Sequence, residues 1–392
     1  MSPLPPQDYL QRVSAIAPII AAEAGNTERA RRLTPPIVQA LIDGGFYRML
    51  QPRWLGGAEL SPAAFSDVIE ALAKIDASTA WCLAQCSACA MAAAYLDKAT
   101  ATEIFKPSDG IIAWGPPAPS KASKVDGGYR VTGAWNFASG GHQASWIGGQ
   151  SYLFDSAGQQ IRTAQGAPII RMMVFPRSDL EIIDVWDVMG MCGTGSDSYR
   201  ADDVFVPERF SFARDDAAER KDPGMLFKLS TSNIYSFGFG SVALGIARQM
   251  LDDAIALASK KTPGGSKRPL RDNNVIQSQI GRCEAAWRSA RSYLHSTARD
   301  LWQSLATQAE PTLEQKIEIR LASTWTIHRA AEVVDTVYHM LGSTTVFRKN
   351  AFERRFRDMH TVTQQIQGRQ SNYENVGQVM LGLDPDAALF PT

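Results

Sequence analysis

Residues 189–208, MGMCGTGSDSYRADDVFVPE, set a Gly-Thr-Gly-Ser turn directly before a strand-like run. Gly193 and Gly195 leave backbone amides unobstructed, while Thr194 and Ser196 add hydroxyls, a surface suited to an oxygen-rich or heteroaromatic ligand. Alone, these four residues fit an ordinary tight turn equally well. An earlier run, GAWNFASGG at 133–141, ends the same way, with Ser139 beside two glycines at the close of a strand pattern. Two such loops lining one flat pocket point to a flavin, and Ser139 is the first choice for a hydroxyl at its reactive central ring.

Other candidates carry two readings each. His142 follows Ser139-Gly140-Gly141 and offers proton transfer beside the ring, or is an exposed or core-satisfied histidine. His360 approaches the pocket or pairs with Asp358. His295, His328 and His339 fall in helical periods and read as structural. Trp81, Trp114, Phe137 and Trp146 are wall material for an apolar pocket, or ordinary core. Cys82, Cys86 and Cys89 share a helical face, but no neighbouring histidine or carboxylate completes a ligand set, so no metal is expected. Five cysteines, an odd number, argue against a disulfide framework and for the cytoplasm.

The 40 basic and 40 acidic residues cancel without long runs of either sign. That removes the electrostatic reason to expect nucleic acid or a membrane surface as partner, and a neutral or cofactor-borne substrate fits better. MSPLPPQDYL lacks the basic leader and apolar core of a secretory signal. Residues 77–96 are uncharged yet hold Ser78, Thr79, Gln85, Ser87 and much alanine, which describes a helix buried in protein rather than a membrane span.

Three blocks must position these residues. Over 1–109 the periods are helical: Thr34 and Pro35 suit one start, Gly44-Gly45 its end, and Asp76 or Ser78 caps the Ala-rich helix. Over 110–215, GIIAWG, YRVTG, SWIGG, PIIRMMVF and DDVFVP are short strands joined by tight turns. Over 216–392 helical periods return: Ile276 to Leu305 is one long helix, and another runs from Leu313 to Leu341, closed by Gly342. No GxGxxG follows a strand, and strand and helix do not alternate, so a Rossmann scaffold is excluded.

Taken in order, RRLTPPIVQALIDGGFYRMLQPRWLGGAEL, ALAKIDASTAWCLA, GAWNFASGG, MGMCGTGSDSYRADDVFVPE and MLGSTTVFRKNAFERRFRDMHTVTQQIQ resemble the acyl-CoA dehydrogenase fold over almost the whole chain. Within it, they resemble the oxygenase components of two-component flavin-dependent monooxygenases. The resemblance implies a mainly α protein with a central β domain: an N-terminal helical domain, a middle β-barrel or sandwich, and a C-terminal four-helix bundle that assembles a homotetramer. It places Trp135, Asn136, Phe137, Ala138 and Ser139, with Gly193 to Ser196, along the flavin. Near its phosphate end it puts Lys260, Gln277 and a neighbouring subunit's Ser343 and Thr344. Arg354, Arg355, Arg357 and Asp358 would brace a subunit interface.

A dehydrogenase of this fold needs a carboxylate base just after the Arg-Asp pair. Here Arg357-Asp358 is followed by MHTVTQQIQG, with no carboxylate, and Glu374 is too far along to promote. The monooxygenases instead let reduced flavin (FADH2 or FMNH2) react with O2 to a 4a-hydroperoxide, inside a pocket that excludes water. Members that act on phenols often carry a C-terminal histidine where Gln365 stands, and a second in the Ala-rich helix about where Cys86 stands. An amide orients a substrate but is no base near neutral pH. The resemblance therefore implies an oxygenase acting on an aromatic or heteroaromatic molecule of indole type, electron-rich without deprotonation. Trp81, Cys86, Trp114, Trp146 and Gln365 would touch the substrate, and a separate NAD(P)H-dependent reductase would supply the flavin. A desaturase of dehydrogenase type, an N- or S-oxygenase, and a non-catalytic assembly protein are the alternatives.

Overall fold

The computed structural model describes residues 6–385. Helices α1 (Pro6–Ala30), α2 (Pro35–Asp43), α3 (Pro62–Ile75), α4 (Ala77–Ala90) and α5 (Lys98–Phe105) come first. Their starts follow local chemistry. Ser61 and Asp97 cap α3 and α5 through their side chains, and Asp76, rather than Ser78, caps α4 by accepting from the Thr79 amide at 2.8 Å. Thr34 occupies the cap position of α2 without a side-chain cap bond, so Pro35 is what fixes that start. Gly45 rather than Gly44 takes the left-handed conformation, at φ 68°. Almost every side chain of α4 is buried, which explains its small residues.

The strands are β1 (Ile112–Trp114), β2 (Ser120–Val125), β3 (Gly128–Trp135), β4 (Trp146–Phe154), β5 (Ile170–Pro176), β6 (Glu181–Ile183), β7 (Ser198–Pro207) and β8 (Ser211–Phe212). They form one sheet in the order β6-β7-β3-β2-β4-β5-β8, with β1 parallel to β4. The decisive pairing is antiparallel β3 with β7, where Trp135 faces Tyr199. The end of β3 therefore lies beside the start of β7, and the loop leaving one strand emerges next to the loop entering the other.

The chain closes with α6 (Thr231–Ala258), α7 (Asn274–Ser304), α8 (Leu313–Leu341), α9 (Phe352–Val362) and α10 (Ser371–Met380). Helix α6 is apolar nearly all round because it packs against α3, α4, α7 and α8. Gly245 lets α6 press close on α3: a Cβ there would sit 2.5 Å from the Ala73 Cβ. The stripe Ile276, Cys283, Ala290, Leu294 and Leu301 of α7 is buried as its spacing requires.

Candidate functional site

A cavity of about 460 Å³ opens where α4, α6 and the segment after α9 meet the sheet. Trp81 and Gln85 come from α4, Trp114 from β1, Tyr235 and Phe239 from α6, and Gln365 and Gln367 from beyond α9. Another part of the wall is built by the two small-residue loops, through Phe137, Ser139, Met191, Thr194 and Ser196. These loops touch. The Ala138 amide donates to the Asp197 carbonyl at 3.0 Å, and the Gly140 amide to the Thr194 carbonyl at 3.2 Å.

Their hydroxyls form a chain with one direction. Thr194 Oγ1 donates its hydrogen to the Met191 carbonyl at 2.9 Å, so in its 2.7 Å contact with Ser196 Oγ it must accept. Ser196 is then the donor there and accepts from Ser139 Oγ at 2.6 Å, while Ser139 accepts from the Trp81 indole N–H at 3.1 Å. Every hydroxyl hydrogen is committed, and what remains for a ligand is lone pairs. Buried donors stand nearby: Trp114 Nε1 and Gln365 Nε2 have no partner among the described residues. The Gln365 oxygen is already taken, accepting from the Gln367 amide at 2.8 Å. Hydroxyl acceptors and amide and indole donors within one lining fit a flat heteroaromatic ring that carries both ring N–H groups and carbonyls.

The loops are held from behind. Met191 and Gly195 adopt left-handed conformations, at φ 55° and 50°. A Cβ on Gly193 would lie 2.3 Å from Thr27 Cγ2 and 2.9 Å from Ser78 Cβ, so this glycine exists for close packing on α1 and α4. Asp197 ties both sides: His142 Nε2 lies 2.7 Å from its Oδ2, and the Val185 and Trp186 amides each donate to its Oδ1 at 2.9 Å. Burial pushes the Asp197 carboxyl up, but those hydrogen bonds outweigh it and hold the group below its ordinary value. From α9, Asp358 accepts from the Met191 amide at 2.6 Å. Burial raises this carboxyl to about 7 despite that bond and the positive charges of Arg354 and Arg357.

Several expected site residues stand elsewhere. Trp135 is core, stacked on Tyr199 at 5.2 Å, with its N–H on the Gln150 carbonyl. Asn136 accepts from Ser198, and Trp146 stacks on Phe210 outside the cavity wall. Cys86 faces the back of the loop, where a Cβ on Gly140 would come within 2.6 Å of its sulfur. Its neighbour Gln85 turns to the cavity instead, because one residue along a helix rotates the side chain by roughly 100°. Burial pushes the Cys86 thiol well up, and those of Cys82 and Cys89 to about 12, so all three stay protonated. His142 braces Asp197 rather than reaching the cavity, and His360 pairs with Asp335 at 2.9 Å, not with Asp358. Arg357 binds Glu28, Glu353 and the Met189 carbonyl within its own chain, and Arg355 binds Asp253, a bracing role inside the subunit.

Lys260, Gln277, Ser343 and Thr344 do not line this cavity. They lie at the end of α6, the start of α7 and just after α8, where Lys261 Nζ binds the Leu341 carbonyl and Thr344 Oγ1 and Gln277 Nε2 binds the Arg271 carbonyl. A separate group, Asp67, Glu70 and His295, brings three metal-type ligands together, yet Arg291 already binds both carboxylates. That makes it an ion-pair cluster.

Sequence reasoning missed Gln85, Tyr235, Phe239, Trp186 and three arginines of the wall, Arg214, Arg320 and Arg369. Trp81 stacks on Phe239 at 3.8 Å, and Phe239 on Tyr235 at 5.3 Å. The spacing of Tyr235 and Phe239 along one helix turn was the available signal. Gln85 Nε2 holds this floor to the sheet, donating to Trp114 O at 2.8 Å and to Tyr235 Oη at 2.9 Å.

Residues 237–369 match the family model for the acyl-CoA dehydrogenase C-terminal domain. The chain is 30% identical to an indole-3-acetate monooxygenase of Pseudomonas putida, over 93% of this chain and 91% of that one. The chain belongs to the flavin-dependent monooxygenases of the acyl-CoA dehydrogenase fold. A second relative in this family, the oxygenase component of an FADH2-dependent resorcinol hydroxylase from a Rhizobium species, is 27% identical over 95% of this chain and 94% of its own. XiaF from a Streptomyces species, solved with FADH2 and glycerol, shares the fold at a TM-score of 0.89 with 22% identity, over 97% of this chain and 96% of that one. The cavity agrees with the monooxygenase branch, since no aspartate or glutamate is among the described residues lining it. Glu374 is exposed on α10, away from the wall. No carboxylate that could serve as the base of a thioester dehydrogenase stands among the described residues of this wall.

Proposed function

We propose that this monooxygenase is an oxygenase component that inserts oxygen into an electron-rich aromatic or heteroaromatic ring of the indole type. The observation that carries the reading is the one-way hydroxyl chain beside an aromatic-walled cavity without carboxylate or histidine among its described lining residues. A reduced flavin, when bound, supplies the electrons that activate O2. Ser139, Ser196 and Thr194 offer it lone pairs, and a reduced flavin carries a ring N–H that the oxidised form lacks, so this wall selects the reduced state. Phe137, Ala138, Gly193 and Gly195 flank the ring. Trp81, Phe239 and Tyr235 form an apolar floor that excludes water, and Trp114 adds to the lining.

Gln365 orients the substrate by donating from Nε2, and Gln85 keeps Tyr235 in place. Neither amide removes a proton, and burial holds the Tyr235 phenol well above its usual value, so it stays neutral. Such a pocket suits a ring that reacts without prior deprotonation. A separate NAD(P)H-dependent reductase supplies the cofactor. Lys260, Gln277 and a neighbour's Ser343 and Thr344 reach it only in an assembled homotetramer. The cytoplasm fits five cysteines, none of them in a disulfide. No helix among the described residues is long and apolar enough to cross a membrane.

The test is anaerobic loading with FADH2 or FMNH2, then mixing with ¹⁸O₂ and indole. The expected result is tighter binding of reduced than oxidised flavin, a near-ultraviolet transient before oxidised flavin appears, and one labelled oxygen in the indole product. Immediate oxidation with hydrogen peroxide as the sole oxygen product would overturn it.

A further inference from the structure

The neutral overall charge of the chain hides a strongly uneven cavity. Arg214, Arg320 and Arg369 line it, and no acidic residue is among the described residues of its wall. Arg369 is exposed, whereas Arg320 is 5% exposed and Arg214 has a side chain only 15% exposed. Burial pulls the Arg320 guanidinium down to about 10, which leaves it charged at neutral pH in a poorly hydrated wall.

Arg214 is the informative member. Its one ionic neighbour among the described residues is Asp215, whose Oδ2 lies 3.4 Å from Nε. That carboxylate is shared, because its Oδ1 accepts from both the amide and the hydroxyl of Thr231 at the start of α6. The terminal nitrogens of Arg214 make no hydrogen bond to any described residue, and the side chain lines the cavity. Through Asp215 it is tied to Thr231, one turn before Tyr235 on α6, which puts it at the Tyr235 end of the aromatic floor. Ser139 is joined to the other end through Trp81. The cavity thus has hydroxyl acceptors at one end, stacked rings along its floor and an incompletely countered guanidinium at the other end.

We propose that this second end binds an anionic side group of the substrate, a carboxylate seated on Arg214, so that the ring to be oxygenated belongs to an aromatic acid rather than a neutral molecule. This rests on the proposed oxygenase function and revises the neutral substrate suggested by composition. A guanidinium meets a carboxylate through two parallel N–H donors, which fixes orientation as well as charge. The low dielectric of an apolar pocket strengthens the pair, and the ligand supplies acceptors for the terminal nitrogens of Arg214. Anchoring the acid at the Arg214 end holds the ring over the Trp81–Phe239–Tyr235 floor, toward Ser139.

The other anion available to this cavity is the phosphate of the flavin, and the experiment separates the two. Calorimetric titrations of the flavin-free protein would use indole-3-acetate and indole, with reduced FMN titrated anaerobically in parallel. The wild type is expected to bind the acid at least about 10-fold more tightly than indole, the scale of one charge-assisted contact. Arg214→Gln should abolish that preference and leave affinities for indole and reduced FMN unchanged, while Arg214→Lys should restore part of it. Equal affinity of the wild type for acid and indole would overturn the proposal, and it needs no variant. So would a loss confined to reduced FMN in Arg214→Gln, which would assign the arginine to the phosphate. Because these readouts precede any chemistry, a protein that prefers the acid yet makes no labelled product would sink the oxygenase reading and leave the anion site standing.

Discussion

Ser139 shows how much one hydroxyl decides here. It accepts from Trp81 and donates to Ser196, so its remaining lone pair is its offer to a ligand. Ser139→Ala removes that acceptor and strands the Trp81 N–H. The expected outcome is about 5- to 10-fold weaker binding of reduced flavin with oxidised flavin unaffected, the size of one buried hydrogen bond, measured by anaerobic fluorescence titration. Asp358 makes a different prediction. Its carboxyl is raised above the unfolded value of an aspartate, so the folded protein holds a proton that the unfolded chain releases. The stabilisation is complete below the unfolded value near 3.8 and is lost as pH climbs to about 7. Asp358→Asn keeps an acceptor for the Met191 amide without the titration. The wild type should lose stability between pH 5 and pH 8 relative to this variant, by on the order of a few kcal/mol, as read by denaturant unfolding at both values.

At the scale of elements, antiparallel pairing of β3 with β7 brings two distant loops to one place, and glycines let them press against the helices. Gly140 has φ 79°, and a Cβ there would meet Cys86 Sγ at 2.6 Å. Gly140→Ala should therefore lower stability by about 1–3 kcal/mol through backbone strain and overpacking together. Adding Cys86→Ala should recover only the packing share, a split that thermal denaturation of the single and double variants measures. The same contact explains why the Ala-rich helix was misread by one residue. Hydropathy marks α4 as buried on every side, and only the position of its neighbours tells which buried face borders the cavity.

At the scale of the molecule, the cavity lies between layers that are far apart in the chain, and the cluster at Lys260, Gln277, Ser343 and Thr344 lies outside it. If a homotetramer brings that cluster to a neighbour's flavin, Lys260→Glu should weaken reduced FAD by about 10-fold through lost charge-assisted contact. Light scattering should report the same number of chains as for the wild type, and secondary structure by circular dichroism should be unchanged.

The sequence alone determined the helix, strand, helix succession, the two small-residue loops and the lack of a carboxylate in the ten residues after Asp358, because each is written in local period, small-residue runs or residue type. Asp76 as a cap and Gly342 as a helix end at φ 59° were equally local. Tertiary structure decided the rest. His142 and Trp146 carried the right chemistry in the right stretch, yet strand pleat and loop packing turned them to Asp197 and Phe210. Arg214 gave no sign, since an arginine in a balanced charge pattern looks like any other, and the one-turn spacing of Tyr235 and Phe239 marks a helix face without saying what it borders. Which wall a side chain faces depends on elements more than a hundred residues away, and periodicity reports only that a face is buried, never against what.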